Sequence, residues 1–134
     1  MPTPSPQEPG ASGARHALII EDDLVTGLDL QAMLQPLGYS SFAFASTAQQ
    51  AVEQAKLHRP DLATVDIGLL DGDGMEAAAA LERACGRVAT LFITGDAEAV
   101  QAREPGLTVL SKPVSEFSLR RALEAMDHQE LHTR

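Results

Sequence analysis

The stretch Ala17-Leu18-Ile19-Ile20-Glu21-Asp22-Asp23 decides how the chain is read. Four apolar residues suit a buried strand, and three consecutive acids end them. Like charges a few ångströms apart repel one another, and burial penalises each of them. Something cationic is therefore expected at the end of this strand.

Working outward, short apolar runs recur at 16–20, 41–45, 62–66, 88–94 and 107–110. Helical patterns fill the intervals. Residues 24–37 carry Leu24, Leu28, Leu34 and Leu37 on one broad face, and 48–57 carry Ala48, Ala51, Val52 and Ala55. Residues 75–84 continue the rhythm, 97–103 form a weaker pattern, and 116–126 carry Phe117, Leu119, Leu123 and Met126. Start and stop signals agree: Gly38 follows the first helix, Ser46 or Thr47 can cap the second, Arg59-Pro60 closes it, and Ser115 can cap the last. Strand alternating with helix five times predicts a parallel sheet covered on both faces. The first and third runs, almost continuously apolar, suit its centre.

With 134 residues the chain fits one domain. Residues 1–14 hold four prolines and two glycines and predict a disordered tail; the domain is expected over 15–127, with a C-terminal tail over 128–134. A net charge of -9, from 19 acidic and 10 basic residues, argues against a nucleic-acid partner, which needs a basic face. The single Cys85 cannot form an internal disulfide, which points to a reducing cytoplasm. No signal peptide is recognisable, and no apolar run approaches the roughly 20 residues that span a bilayer. His128 and His132 are read as tail rather than as metal ligands. Asp71-Gly72-Asp73-Gly74 fails the calcium-loop pattern, because Glu76 stands where that loop requires glycine. It is read as a turn and a cap for the third helix.

In an open parallel sheet, ligands bind outside the carboxyl ends of the strands. The first run ends in Glu21-Asp22-Asp23, the third in Asp66, the fourth in Thr94, and the fifth is followed by Ser111-Lys112-Pro113. Each alone has a bland reading as a helix cap or a solvated charge. Together they put carboxylates, a hydroxyl and an ammonium on one edge.

At these residues the chain resembles the receiver domains of bacterial two-component response regulators. The motifs LIIEDD, PDLATVDIGLLDGDGME, LFITGD and VLSKPVSEFSL carry the resemblance, in order, across about 15–126. It implies a doubly wound, five-stranded parallel α/β sheet in the order 2-1-3-4-5, with flavodoxin-like topology. It implies Asp66 as phosphoacceptor and Mg²⁺ as cofactor, held by Asp22, Asp66 and the Gly68 backbone carbonyl, with Glu21 acting through water. Thr94 and Lys112 would contact the phosphoryl group, Gly68 and Asp96 would tune its lifetime, and a cis peptide would follow Lys112. Asp23 is kept as a helix cap. The implied partners are a sensor histidine kinase or histidine phosphotransfer protein and an unidentified downstream protein, with a homodimer left open and no membrane or nucleic acid.

Two features depart from the pattern. Val109 stands where receivers usually carry an aromatic switch residue, and the fourth helix is interrupted by Glu104-Pro105-Gly106. A short or mobile fourth helix is the expectation. The resulting expectation is a stand-alone response regulator, not an enzyme, that takes a phosphoryl group on Asp66 in a Mg²⁺-dependent reaction. It would signal by state-dependent binding or phosphoryl relay. The alternative is a phosphorylation-independent binding module with the same fold. A dehalogenase-type phosphatase is disfavoured, because Gly68 occupies the place of its acid-base aspartate.

Overall fold

The structure, a computed structural model, describes residues 15–68 and 74–132, with side chains as far as Asp127. The tail expected over 1–14, the turn at Asp71–Asp73 and the side chains of His128 and His132 lie outside the described residues. Five strands form one parallel sheet: β1 (Arg15–Ile20), β2 (Tyr39–Ala45), β3 (Leu62–Asp66), β4 (Ala89–Thr94) and β5 (Thr108–Ser111). Their order is β2-β1-β3-β4-β5, the flavodoxin-like receiver topology. The helices are α1 (Leu24–Leu34), α2 (Ala48–Leu57), α3 (Gly74–Cys85), α4 (Ala97–Arg103) and α5 (Glu116–His132).

The period-two alternation of the central strands divides the core into two layers. Leu18, Ile20, Ala63, Val65 and Phe92 face Ala51 and Ala55 of α2 and Ala77 and Leu81 of α3. Ala17, Ile19, Leu62, Leu91 and Ile93 face Leu30 and Leu34 of α1 and Leu119 of α5. Burying each leucine or isoleucine contributes about 1.5–3 kcal/mol, so the two layers fix which strands are central.

Several boundaries and faces differ from the sequence expectation. Helix α1 stops at Leu34, and Gln35–Leu37 tighten into a 3-10 turn because Pro36 supplies no backbone donor. Gly38, at φ 107°, then takes the left-handed conformation that admits glycine most readily. The face expected of α1 is not the buried one. Leu24 and Leu28 are exposed at 68% and 47%, whereas Gly27, Leu30 and Leu34 are buried. A Cβ at Gly27 would stand 3.4 Å from the Phe44 ring, so this side of α1 packs closely on the sheet. Phe117, expected to be in the core, is exposed, and Leu119 fills that role. Strand β2 begins two residues earlier than expected, and α5 runs on to His132.

The edge of the sheet opposite the acidic cluster carries a feature that the sequence did not suggest. The buried His16 ring stacks on His58 with centroids 3.6 Å apart, and its Nδ1 pairs with Ser41 Oγ at 2.8 Å. Asp61 grips the His16 backbone from both sides: its carboxylate accepts from His16 N, and its own N–H donates to His16 O. Desolvation, then the neighbouring His58, holds the His16 pKa below that of a free imidazole.

Thr64 lies in the middle of β3, buried, and its hydroxyl has no partner. An unpaired buried hydroxyl is destabilising, and valine matches its shape. The substitution Thr64→Val is therefore predicted to raise stability by about 1 kcal/mol in urea unfolding without changing the m-value. A loss of stability would show that the hydroxyl is satisfied.

Candidate functional site

Parallel β1 and β3 are neighbours, with Ile20 paired to Val65, so the acids after β1 meet the acid ending β3. Carboxylate oxygens of Glu21, Asp22 and Asp66 all lie within 4.8 Å of one another. Among the described residues this is the one such cluster of potential metal ligands. Glu21 and Asp66 are buried, while Asp22 lies nearer to solvent. Backbone bonds hold the strand ends in place: Glu21 N donates to Ala45 O at 2.8 Å, and Ile67 N donates to Ile93 O at 3.0 Å.

The fifth strand brings the cation. Lys112 Nζ lies 3.2 Å from Asp66 Oδ1, and the Lys112 amide donates to Thr94 O at 2.8 Å. The Lys112-Pro113 peptide is cis. Gly68 N also donates to Asp66 Oδ1 at 3.1 Å, so the same carboxylate oxygen serves both donors. Glu21 Oε2 accepts from Asp23 N at 3.1 Å. Its other oxygen, Oε1, is buried without a hydrogen-bond partner. A hard oxygen cluster with an orphaned carboxylate oxygen fits a divalent cation that prefers oxygen ligands.

Asp23 plays the capping part expected of it, with its carboxylate accepting from Val25 N at 3.2 Å and from the Thr26 hydroxyl at 2.8 Å. Thr94 ends β4 one residue beyond Ile93, the partner of Asp66, and its Oγ1 accepts from Asp96 N at 3.3 Å. Asp96 is the N-cap of α4, accepting from Ala99 N. Val109 is buried beside Phe92 in the sheet and presents no exposed side chain. Gly74, a turn residue by its sequence, is a close-approach position. A Cβ there would stand 2.6 Å from Asp66 O and 2.8 Å from Ile67 Cα, so the start of α3 rests directly on the strand that carries Asp66. The signal in the sequence was the glycine itself, but not which backbone it meets.

The sequence model of the response regulator receiver domain matches residues 17–124, and the chain belongs to that family. It is a receiver domain of two-component signalling. The transcriptional regulatory protein PdtaR of Mycobacterium tuberculosis is 36% identical over 119 residues, which cover 85% of this chain and 57% of the relative. The phyllosphere-induced regulator PhyR of Methylorubrum extorquens is 37% identical over 90 residues, 66% of this chain and 33% of that one. This chain thus spans about half the length of PdtaR and a third of PhyR. Among solved structures, the receiver domain of a modulated diguanylate cyclase from Desulfovibrio desulfuricans aligns with TM-score 0.75 and 33% identity, covering 90% of this chain and 99% of its own. The receiver domain of the sensor kinase PA1611 from Pseudomonas aeruginosa aligns with TM-score 0.72 and 27% identity, covering 84% and 97%. It holds a magnesium ion in its active-site cleft.

The electrostatics of the cluster are strained in a measurable way. Burial pushes the Glu21 carboxyl up to about 7; the Asp66 charge adds to the rise, while the Asp23 amide and Lys112 oppose it. Because the folded protein holds this proton more tightly than the unfolded chain, the stabilisation is present below pH 4.5 and is lost as pH rises through about 7. In metal-free buffer, the melting temperature of the native protein is predicted to fall between pH 5.5 and 8 relative to Glu21→Gln, by a few degrees. Parallel profiles for the two proteins would show that Glu21 titrates normally.

Proposed function

We propose that this receiver accepts a phosphoryl group on Asp66 and signals through the change that follows. The observation that carries the reading is the buried Asp66 carboxylate, 3.2 Å from Lys112 Nζ within a cluster of three acids. One Asp66 oxygen attacks phosphorus, the bond from phosphorus to the donor's imidazole nitrogen or leaving oxygen breaks, and an acyl phosphate forms. Phosphoryl transfer asks the protein mainly for positioning and charge stabilisation.

Asp22 and Asp66, with the Gly68 carbonyl, are the direct ligands we assign to Mg²⁺, and Glu21 acts through water. Bound there, the ion supplies positive charge against the equatorial phosphoryl oxygens. Lys112 adds a second positive charge, already held beside Asp66. Thr94 donates its hydroxyl to a phosphoryl oxygen once one is present, an interaction that exists in only one state and so can shift an equilibrium. Gly68 and Asp96 flank the acceptor and the threonine, where side-chain size and charge tune access of water to the acyl phosphate.

The donor is a sensor histidine kinase or a histidine phosphotransfer protein in the cytoplasm. Leu24, Val25 and Leu28 offer it an exposed apolar surface directly after the acidic cluster. Among the described residues no helix is long and apolar enough to cross a membrane. Downstream, state-dependent binding to another protein or phosphoryl relay passes the signal. A solved relative, PhyR of Bartonella quintana, is an anti-anti-sigma factor, which supports protein binding as one such output. The buried Val109 favours one second reading, a binding module that no longer switches by phosphorylation.

Incubation with acetyl phosphate distinguishes the two. The native chain is predicted to gain the mass of one phosphoryl group only with Mg²⁺, and Asp66→Asn to gain none. No gain in the native protein, together with no Mg²⁺ binding, would select the binding module.

A further inference from the structure

Helix α4 has seven residues, of which Val100 is the one that is buried. A helix so short is unstable by itself, because each end leaves backbone groups without internal partners. Its N-terminal donors are held from outside the helix. The Asp96 carboxylate accepts from Ala99 N at 3.1 Å, Thr94 Oγ1 accepts from Asp96 N at 3.3 Å, and Ser111 Oγ accepts from Ala97 N at 3.3 Å.

Two of these anchors sit on the strand ends that form the acidic site. Thr94 closes β4, and Ser111 closes β5 immediately before Lys112, whose ammonium contacts Asp66. Lys112 N is bonded to Thr94 O, so the two strand ends are joined. A movement of Lys112 thus reaches the start of α4 through the adjacent Ser111, and a movement of Thr94 reaches it through Asp96, two residues on. A threonine hydroxyl donates once and accepts twice, so Thr94 can bond a phosphoryl oxygen and keep the Asp96 amide. It then draws the β4-α4 turn with it, away from β5, so the pull falls on the bond between Ala97 and Ser111.

We infer that the Ser111 hydroxyl is a latch that holds the N-terminus of α4 on β5 while Asp66 is unmodified, and that occupancy of the acceptor site releases residues 97–103. Ser111 is a positioning residue here, acting through α4 and not on phosphorus. The inference rests on the reading of Asp66 as phosphoacceptor for its trigger, but not for the latch itself. It gives the fold a route of output that needs no aromatic side chain at Val109.

Amide hydrogen exchange over 97–103 tests it, in the native chain, Ser111→Ala and Ser111→Thr, each with and without beryllofluoride and Mg²⁺ as the phosphoryl mimic. Ser111→Ala is expected to speed basal exchange about threefold or more, the scale of one lost hydrogen bond. It should shrink the further rise caused by the mimic and leave acetyl phosphate uptake intact. Ser111→Thr, which keeps the hydroxyl, should restore native behaviour. Native basal exchange in Ser111→Ala would overturn the latch, and so would an unreduced response to the mimic. If the native chain shows neither mass gain nor a response to beryllofluoride, the phosphoacceptor reading fails, and the basal comparison alone then decides the latch.

Discussion

Three carboxylates forced together at the ends of β1 and β3 are the constraint on which the rest of the structure depends. The sheet cannot avoid the encounter. The apolar run of β1 must be central to bury its residues on both faces, and centrality puts it beside β3. Glu21 and Asp66 are thereby buried within reach of each other and of Asp22. The repulsion is partly relieved by Lys112, which directly follows β5 and lies beside Asp66, and burial together with the Asp66 charge raises the Glu21 pKa. Glu21 Oε1 is left unpaired. The cluster of hard oxygen donors fits a divalent cation, and the fold supplies the geometry in advance.

Much of this was legible from residue order. Short, nearly continuous apolar runs gave the strands, and the polar residues at their ends gave the edge where the site would form. The caps at Asp23 and Thr47 followed from residue type. Other features depend on contacts between distant segments and have no local signature. Leu24, Val25 and Leu28 crowd the first turns of α1, and the buried face is told only by the packing of Gly27 against Phe44. The stack of His16 on His58 joins residues 42 positions apart. Gly74 reads as an ordinary turn glycine until the backbone of Asp66 is seen beneath it. Ser111 has the same character: nothing in Leu110-Ser111-Lys112 reveals that the hydroxyl caps a helix that begins 14 residues earlier.

In the function we propose, the short α4 links site and output. Its seven residues match the sequence expectation, and its dependence on external anchors follows from its length. A helix with one buried residue and borrowed hydrogen bonds belongs to the low-stability end of the fold, where a few tenths of a kcal/mol alter populations. That suits a reporter of a chemical event at Asp66 better than a rigid helix would. The buried Val109 is a consistent element of the sheet, packed beside Phe92, and in the function we propose the signal passes along the strand ends.

The central claim is that the acidic cluster is completed by a divalent cation, and the melting temperature of the native chain with Mg²⁺ against a chelator tests it most directly. Binding to the folded state alone raises stability by mass action, about 2.7 kcal/mol at a hundredfold excess over Kd. The melting temperature of the native chain is predicted to climb with magnesium concentration and to lose most of that climb in Asp22→Asn. A melting temperature that stays put when magnesium replaces the chelator would contradict it.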